Sequence, residues 1–347
     1  MSAPKIGLDI GSKSIRPVGP ERRRPAPVSV VIPCFEAAAT LERALDSVRA
    51  QTWPPAEAIL VDDGSADETP ALFSRLLEGD RAETDRGGEA TPPYLRTIRL
   101  DRNRGPGAAR NAGWAAATQP LIAFLDADDA WHSRKIEIQA DFMLARPGVA
   151  LSGHASGFGP GFGSGPVRFD GFRFRVGNRG RGGGIAEVVP GRAGARRSRA
   201  GRSRAGEIAE EGPEILRRDR RIAPARLLAR NDLPTRSVMV RREIPFRFAE
   251  DKRRSEDYLL WLEIALSGRP IRRLSARLAR SFKPDVGAGG LTADPARMAA
   301  AERDVYRRLR KSGVLGTLPA ISALGFSWLR YGLRRVRLGV RRRAFRG

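Results

Sequence analysis

A short apolar run that ends in clustered acids is the feature that most constrains this chain. Residues 121–125 read Leu-Ile-Ala-Phe-Leu, and three carboxylates follow at Asp126, Asp128 and Asp129. Such a run is typical of a fully buried strand. Because buried charges are costly unless they are paired or bound to a metal, the acids favour a ligand site at the carboxyl end of this strand. Their hard oxygen atoms suit Mg²⁺ or Mn²⁺, and an acidic solvated turn is the alternative.

Residues 28–125 alternate strand and helix patterns. This alternation predicts a mostly parallel sheet with right-handed crossovers, in which the carboxyl ends of the strands meet at one edge. The second strand ends in Asp62 and Asp63, and Gly64 permits a tight turn there. Strands are predicted over 28–32, 58–61, 94–100 and 121–125, with helices after Thr40, after Asp67 and over 106–117.

The rest of the sequence is less regular. Residues 153–206 are rich in Gly and Arg and lack apolar periodicity. This composition is typical of a flexible insertion, with a basic clamp over an anionic acceptor as the alternative. A strong helical pattern follows Ser255, a natural N-cap residue, and puts Glu256 and Asp257 in its first turn. We further predict a loop over 78–93, helices over 213–230 and 295–311, and strands over 237–240 and 271–279.

The composition excludes several kinds of site. Cys34 is the single cysteine, which excludes a disulfide framework and a cysteine-based zinc site. Only two histidines, His132 and His154, are present, so a histidine-centred metal site is not expected. The net charge is +24, and only 6 of the 63 basic residues are Lys. Arg is the better bidentate partner for phosphate, although an Arg-rich genome would give the same excess.

The two ends of the chain read differently from its middle. Residues 1–27 are rich in Pro and Arg and lack the apolar segment of a secretory signal, so we expect a disordered leader and a cytoplasmic enzyme. Residues 314–329 carry no charge, are interrupted by Pro319, and precede an Arg-rich run that ends the chain. They are too short for a secure membrane span. The pattern suits a basic helix lying on anionic lipid, with a terminal helix packed on the domain as the alternative.

Several motifs, in order and spacing, resemble family 2 glycosyltransferases of GT-A fold. One Asp-X-Asp motif is weak support, but several motifs in the order of the family are strong support. They read Val28-Ser-Val-Val-Ile-Pro-Cys-Phe-Glu, Leu45-Asp-Ser-Val-Arg-Ala-Gln-Thr, Val61-Asp-Asp-Gly-Ser-Ala-Asp-Glu-Thr, Asn103-Arg-Gly-Pro-Gly-Ala-Ala-Arg-Asn-Ala-Gly, Phe124-Leu-Asp-Ala-Asp-Asp-Ala-Trp and Ser255-Glu-Asp-Tyr-Leu-Leu-Trp-Leu.

The resemblance implies a fold and a domain plan. The fold class is α/β, a Rossmann-like and mostly parallel GT-A sheet flanked by helices, with a basic C-terminal helical tail. The glycosyltransferase domain would span 28–292 and contain the Gly/Arg-rich insertion at about 153–206, and a helical basic extension would span 293–347. The insertion falls where the family has acceptor-side strands, so this chain departs from the family pattern there.

The resemblance also implies a nucleotide-sugar site. Pro33, Phe35 and Glu36 would line the base and ribose pocket, with Phe35 stacking on the base. Either Asp62 or Asp63 would bond the base or ribose, and the sequence leaves that choice open. The remaining implied donor ligands are Arg110 for the nucleotide or its phosphates, Asp126 for the ribose, and Lys283 with the loop at 287–290 for the diphosphate.

The implied chemistry assigns the remaining acids. Asp128 would bind the Mn²⁺ or Mg²⁺ that bridges the diphosphate, with Asp129 as a helper, because charge develops on the leaving diphosphate. Asp257, or else Glu256, would take the proton from the acceptor hydroxyl. The family implies inversion by a single displacement, with a UDP-sugar as the donor and a polysaccharide or lipid-linked glycan as the acceptor.

Two other classes of function fit parts of the sequence. A nucleotidyltransferase has a similar sheet and carboxylate-bound metal, but it would not need Glu256 and Asp257, and its basic first loop is absent after 28–32. An Arg-rich nucleic-acid-binding protein fits the charge of +24. The basic stretches contain few interleaved aromatic residues, so no specific nucleic acid is expected. The expected location is the cytoplasm, or the inner face of the plasma membrane where the tail binds lipid.

Overall fold

The computed structural model describes residues 24–85, 94–158, 219–282 and 294–344, and three short strands within 168–189. Among these residues the strands form one twelve-stranded sheet flanked by helices. The strands are β1 (Ala26–Cys34), β2 (Pro55–Asp62), β3 (Tyr94–Arg99), β4 (Leu121–Phe124), β5 (Asp129–Trp131), β6 (Leu151–Phe158), β7 (Arg168–Phe169), β8 (Phe172–Asn178), β9 (Gly184–Val189), β10 (Asp219–Arg221), β11 (Met239–Arg241) and β12 (Ile271–Ser281). The helices are α1 (Leu41–Arg49), α2 (Thr69–Asp85), α3 (Pro106–Ala116), α4 (Lys135–Leu144), α5 (Pro224–Ala229), α6 (Glu256–Leu266), α7 (Pro295–Lys311) and α8 (Thr317–Ala344).

The first half of the sheet is parallel, as the sequence predicts. The order β3-β2-β1-β4 pairs neighbours in parallel, with Cys34 opposite Asp62 and Val31 opposite Phe124. The carboxyl ends of β1, β2 and β4 therefore meet at one edge of the sheet. Ligands bind at this edge in open α/β sheets, so the topology brings the predicted acids together.

The second half of the sheet is mixed. Strand β11 is antiparallel to both β4 and β6, and β12 runs parallel to β6. Three further strands, β5, β7 and β10, pair antiparallel with β12. Strand β5 begins at Asp129, the last acid of the turn after β4, and its pairing with β12 anchors that turn to the sheet.

The sheet is buried on both faces. On one face Val28, Val30 and Ile32 pack toward helices α1 and α4. On the other face the rings of Trp114, Phe124, Phe248 and Trp261 form a cluster with centroids 5.2–6.2 Å apart. These contacts press helices α3 and α6 against the sheet. Burial of both faces explains why the parallel strands read as continuous apolar runs.

Helix α3 approaches β1 unusually closely. A Cβ atom at Gly113 would lie 2.4 Å from a methyl carbon of Val31. Only glycine permits this approach. The close packing fixes α3, whose first turn borders the acidic edge of the sheet.

The insertion predicted from Gly153 onward begins inside a strand. Strand β6 runs to Phe158, and its His154 lies opposite Leu274 of β12. Gly153 is present for packing rather than for flexibility, because a Cβ atom there would lie 2.5 Å from Leu233. The structure also has β7, β8 and β9 within the predicted insertion, and the remainder of 159–218 lies outside the described residues.

Three other local predictions were wrong. Helix α2 continues to Asp85, where a loop was predicted from residue 78. The helix predicted over 213–230 is instead β10, which pairs with β12, followed by the short helix α5. Pro319 does not interrupt the tail, because it lies in the first turn of α8, where proline costs no hydrogen bond.

The boundaries at the ends of the predicted domain stay predictions. Strand β1 begins at Ala26, and most of the predicted leader, residues 1–23, lies outside the described residues. Helix α7 spans 295–311, as predicted. Among the residues described, no helix combines the length and apolarity that a membrane crossing requires.

Candidate active site

A cleft of about 930 Å³ lies at the carboxyl edge of the parallel strands. The loops after β1, β2 and β4, the starts of α3 and α6, and one face of α8 form its walls. Apart from Asp62, every predicted site residue that the structure describes lines it. These are Pro33, Phe35, Glu36, Asp63, Arg110, Asp126, Asp128, Asp129, Glu256 and Asp257.

Arg110 joins two of the predicted acids in the wall of the cleft. Its Nη2 donates to Oδ1 of Asp126 and its Nη1 donates to Oε1 of Glu256, each at 2.7 Å. Burial alone would lower the pKa of the Arg110 guanidinium, but Asp126 and Glu256 outweigh burial and raise it. Arg110 therefore stays charged. Both of its terminal nitrogens donate to protein carboxylates, a pairing that the sequence did not predict.

Asp257 follows Glu256 in the first turn of α6 and has different partners. Thr235 donates its hydroxyl to Oδ2 of Asp257 at 3.0 Å, and the Tyr258 N–H donates to Oδ1 at 2.7 Å. Burial and then the neighbouring Glu256 charge raise the pKa of Asp257 to about 6, although Arg110 and the two hydrogen bonds act in the opposite direction. A carboxylate with this pKa is ionised at neutral pH and can accept a proton.

The start of α6 differs from the predicted capped helix. Ser255 has a φ of 57°, in the left-handed region, and its side chain makes no capping hydrogen bond to the described residues. Glu36, on the opposite wall, is the second non-glycine residue of the described chain with a positive φ, at 51°. Both residues line the cleft. Strained backbone of this kind clusters at functional sites.

The three carboxylates of the acidic turn after β4 lie in three different environments. Asp126 faces Arg110, and Asp128 is partly exposed in the cleft wall, where its backbone carbonyl accepts a hydrogen bond from Arg43. Asp129 is buried and lies 3.6 Å from Nη1 of Arg236. Burial and then the Asp126 charge raise the pKa of Asp129 to about 7, despite the opposing effect of Arg236.

The carboxylates of the acidic turn fit a cation that is also bound by a substrate. Among the described residues, no three His, Cys, Asp or Glu side chains are grouped closely enough to hold a metal by themselves. Mg²⁺ and similar cations commonly use one or two carboxylates together with water and substrate phosphates. Asp128 is the better ligand in such an arrangement, because it is partly exposed in the cleft wall, whereas Asp129 is buried and faces Arg236. The roles of both residues in binding metal stay predictions.

The two acids at the end of β2 have separate roles in the fold. Asp62 is fully buried, and its Oδ1 accepts the Ser65 N–H at 3.0 Å, which holds the turn closed. The oxygens of Asp63 accept the N–H groups of Arg104 and Gly105, each at 2.7 Å. Since Asp63 lines the cleft and Asp62 does not, Asp63 is the better placed of the two to meet a nucleotide.

The loop after β1 is tied to the loop after β2. The Glu36 N–H donates to Oγ of Ser65, and the Glu36 carboxylate accepts the N–H of Ala66, each at 3.0 Å. The Glu36 carboxylate thus has a structural partner. Phe35, next to it, is 49% exposed at the cleft, which leaves a ring face available for stacking. Lys283 and the loop at 287–290 lie outside the described residues.

The cleft also contains residues that the motifs did not indicate. Thr235 and Arg236 come from a short turn without a recognisable motif, although they contact Asp257 and Asp129. Helix α8 contributes one wall from a stretch that the sequence assigned to a separate extension. The other unpredicted lining residues include His154, Arg253, Arg254, Arg273, Ser327, Arg330 and Tyr331.

Comparison with known proteins agrees with this fold. Residues 29–201 match the model of glycosyl transferase family 2. The chain belongs to glycosyl transferase family 2. The matched segment begins in β1 and contains Asp63, Arg110 and the acidic turn after β4.

Two curated relatives match about a third of this family 2 chain. The succinoglycan biosynthesis protein ExoO of Rhizobium meliloti is 43% identical over 102 residues, which are 29% of this chain and 25% of that protein. The uncharacterized glycosyltransferase alr2836 of Nostoc sp. is 39% identical over 110 residues, which are 32% of this chain and 30% of that protein. The chain thus spans less than a third of the length of either relative.

Solved structures share the fold of this family 2 chain. The crystal structure of residues 1–349 of S. aureus TarS aligns with a TM-score of 0.50 at 16% identity and covers 87% of this chain and 70% of that one. The same protein in complex with UDP-GlcNAc also gives a TM-score of 0.50, with 81% and 66% covered. The architecture is therefore the α/β GT-A fold that the motifs predict.

Proposed function

We propose that this chain is an inverting, metal-dependent glycosyltransferase that moves a sugar from a nucleotide-diphosphate sugar to an acceptor hydroxyl. The observation that carries the proposal is the placement of Asp128 and Asp257 in one cleft. The first is a partly exposed carboxylate suited to a cation, and the second is a carboxylate with a pKa of about 6. Transfer between a diphosphate and a hydroxyl needs both groups.

The donor would lie along the loops at the carboxyl edge of the sheet. Phe35 offers its exposed ring for base stacking, and Asp63 offers a carboxylate whose orientation two backbone N–H groups fix. Asp126, held by Arg110, would meet the ribose. A UDP-sugar is our first choice of donor, and the complex of TarS with UDP-GlcNAc makes this a reasonable first probe.

The reacting end of the sugar would lie between the acidic turn and the start of α6. When bound, the cation neutralises charge that develops on the leaving diphosphate. Asp128 would hold the cation, and Asp257 would accept the proton of the acceptor hydroxyl as that oxygen attacks the sugar carbon. Attack by the acceptor from the face opposite the diphosphate inverts the configuration at that carbon.

Glu256 is the weaker candidate for the base. Its side chain is buried, and its Oε1 accepts a hydrogen bond from Arg110 at 2.7 Å. A carboxylate paired with a permanently charged guanidinium is a poor proton acceptor. Asp257 instead accepts hydrogen bonds from the neutral Thr235 hydroxyl and the Tyr258 N–H.

The acceptor class follows from the relatives and from α8. ExoO is named for succinoglycan biosynthesis, which supports a polysaccharide or lipid-linked glycan as the acceptor. Helix α8 lines the cleft with Ser327, Arg330 and Tyr331, and its sequence ends in an Arg-rich run. We expect the chain to act in the cytoplasm or at the inner face of the plasma membrane.

Donor binding can be tested without knowing the acceptor. Thermal-shift measurements with Mn²⁺ and UDP-, GDP- or dTDP-sugars should raise the unfolding temperature for one base class, since a ligand that binds only the folded state stabilises it. The stabilising donor should then be hydrolysed or transferred slowly. If no nucleotide sugar stabilises the protein with Mn²⁺ or Mg²⁺, the proposal fails. Steep, salt-dependent binding to DNA or RNA would instead favour the nucleic-acid alternative.

A further inference from the structure

Helix α8 carries a row of exposed apolar side chains along one face. Leu318, Ile321, Leu329 and Leu333 are each more than half exposed. Their spacings of three, eight and four residues place them on the same side of an α-helix. We call these four residues the outer face. Most of the large exposed apolar side chains of the described chain lie on α8 or just before it, so the exposure is concentrated rather than scattered.

The opposite face of α8 is fixed to the domain. Ala320, Ala323 and Ser327 are buried there. Arg330 donates to the carbonyl of Ala229 and to the carboxylate of Glu302 on α7. The outer face is therefore presented by an anchored helix.

The anchored face of α8 also forms part of the cleft. Ser327, Arg330 and Tyr331 line it. The outer face and the wall of the cleft are thus two sides of one helix, whose diameter is ~10 Å. A surface that binds the outer face would lie about that far from the wall of the cleft.

The charge of the tail selects one kind of partner. No Asp or Glu follows Asp304, and residues 334–347 contain seven Arg. Helix α8 continues into this stretch, to Ala344. An apolar row joined to an acid-free basic segment complements an anionic lipid surface, which offers acyl chains and negative headgroups together.

A second copy of the chain and a nucleic acid are less suitable partners for the outer face. Two copies of the chain would bring two acid-free, Arg-rich tails together, which costs electrostatic energy. Nucleic acid would use the Arg residues but would gain little from Leu318 and Ile321, because its binding is dominated by phosphate. An anionic bilayer uses both features.

We propose that the outer face of α8 docks the protein on an anionic lipid bilayer, with the helix lying in the plane of the interface. Docking does not depend on the glycosyl transfer proposed above. It adds to that function by holding the cleft beside the membrane, where an acceptor with a lipid anchor would reach the wall formed by Ser327 and Tyr331.

Vesicle flotation of the full chain tests this proposal. The protein should float with vesicles of phosphatidylcholine and phosphatidylglycerol, and much less with phosphatidylcholine alone. High salt should weaken binding to the anionic vesicles, because surface charges are screened. Trp328 lies beside the outer face and is half exposed, so its fluorescence should shift to the blue on binding. The shift is isolated by subtracting the spectrum of Trp328→Phe.

A pair of variants distinguishes binding through the outer face from nonspecific binding through any exposed apolar side chain. The triple variant Leu318→Gln, Ile321→Gln, Leu329→Gln should reduce partition into anionic vesicles by ~tenfold or more, because each side chain loses apolar contact with lipid. The control Leu144→Gln changes an exposed leucine on α4 and should float like the wild type. All the altered residues are exposed, so the unfolding temperatures should stay close to that of the wild type.

Three outcomes would overturn the proposal. The wild type fails to float with anionic vesicles, or the triple variant floats as well as the wild type. In the third, the wild type forms dimers without lipid and the triple variant does not, which would assign the outer face to a second copy. Asp128→Asn should float normally, so a failure of docking and a failure of the proposed reaction are distinguishable.

Discussion

Nη1 of Arg110 lies 2.7 Å from Oε1 of Glu256, and this buried pair joins helix α3 to the start of helix α6. The pair neutralises one of two adjacent acids and leaves Asp257 to interact with Thr235. Two neighbouring carboxylates thereby acquire different roles through their partners. The same guanidinium also holds Asp126, so it connects the acidic turn after β4, on the proposed nucleotide side of the cleft, to the start of α6, on the proposed acceptor side.

Replacement of Asp257 by Asn should remove the proton acceptor. Loss of a general base costs ~10²–10⁴-fold in kcat. Donor affinity should change little, because the nucleotide of the donor is expected to contact the loops after β1, β2 and β4 rather than Asp257. Steady-state kinetics with the stabilising donor would check kcat and KM separately. Glu256→Gln serves as the comparison, and a larger fall in kcat for Glu256→Gln than for Asp257→Asn would reverse the assignment.

The pH dependence of transfer should report the pKa of Asp257. This carboxyl has a raised pKa of about 6, and a general base acts only in its ionised form. As pH falls through 6, protonation should reduce kcat/KM, and above that pH the rate should level off until another group titrates. A kcat/KM profile between mild acid and neutral pH measures this midpoint. A flat profile down to the usual Asp range, ~4, would contradict the role.

Removal of Arg110 should destabilise the fold as well as the site. Arg110→Met leaves Glu256 buried without its cation, and breaking a buried pair in this way costs ~3–5 kcal/mol. Chemical denaturation would measure the loss. Arg49→Met is the matched control, because Arg49 pairs with Asp80 at 2.8 Å on the surface, where such pairs contribute ~0–1 kcal/mol. Equal losses in the two variants would mean that the buried pair contributes no more than the surface pair.

Much of this arrangement could be predicted from the sequence because it depends on local pattern. The apolar runs predicted the parallel strands. Because parallel strands end at the same edge of a sheet, the acids that follow them lie together there. Asp63 and Asp128 therefore lie in the cleft as the motifs imply. Local pattern also predicted α7 with its observed bounds, at 295–311.

The features of the site that the sequence did not predict depend on contacts between residues that are distant in sequence. Arg110, the partner of Glu256, is 146 positions away in the sequence. The Ser-Glu-Asp motif therefore could not predict that Glu256 pairs with Arg110 instead of facing solvent. Ser255 looks like an N-cap locally, but its backbone is left-handed and its side chain makes no capping hydrogen bond to the described residues, which its residue type does not predict. Arg236 had no local signal because its role depends on Asp129, which reaches it only when β5 pairs with β12.

Replacement of Asp128 by Asn should abolish metal-dependent turnover. The amide keeps the shape of the side chain but loses its charge, and loss of comparable electrostatic stabilisation costs ~10²–10³-fold in rate. Donor hydrolysis with Mn²⁺ would measure the effect, and the thermal shift produced by Mn²⁺ with donor should shrink in parallel. Asp251→Asn is the control, because Asp251 is exposed and pairs with Arg308. Full activity in Asp128→Asn would remove the metal assignment.

The buried amine of Lys135 provides a test of the electrostatics of the core. Its side chain is fully buried, and its Nζ lies 3.7 Å from the centroid of the Trp131 ring. The Nζ makes no hydrogen bond to any described residue. Burial lowers the pKa of Lys135 well below its usual value, so the unfolded chain binds the proton more readily than the folded protein does. The wild type should therefore gain stability as pH rises toward the unfolded pKa of ~10.4.

Lys135→Met should remove this cost and keep the volume of the side chain. We expect the free energy of unfolding at neutral pH to rise by ~1–3 kcal/mol, the usual penalty of an unsatisfied buried polar group. The gain should shrink as pH rises, because the wild-type amine is then neutral in both states. Denaturation at neutral and alkaline pH measures both effects, with Lys311→Met on the surface of α7 as the control. A loss of stability in Lys135→Met would contradict this account, because it would mean that the buried amine stabilises the fold.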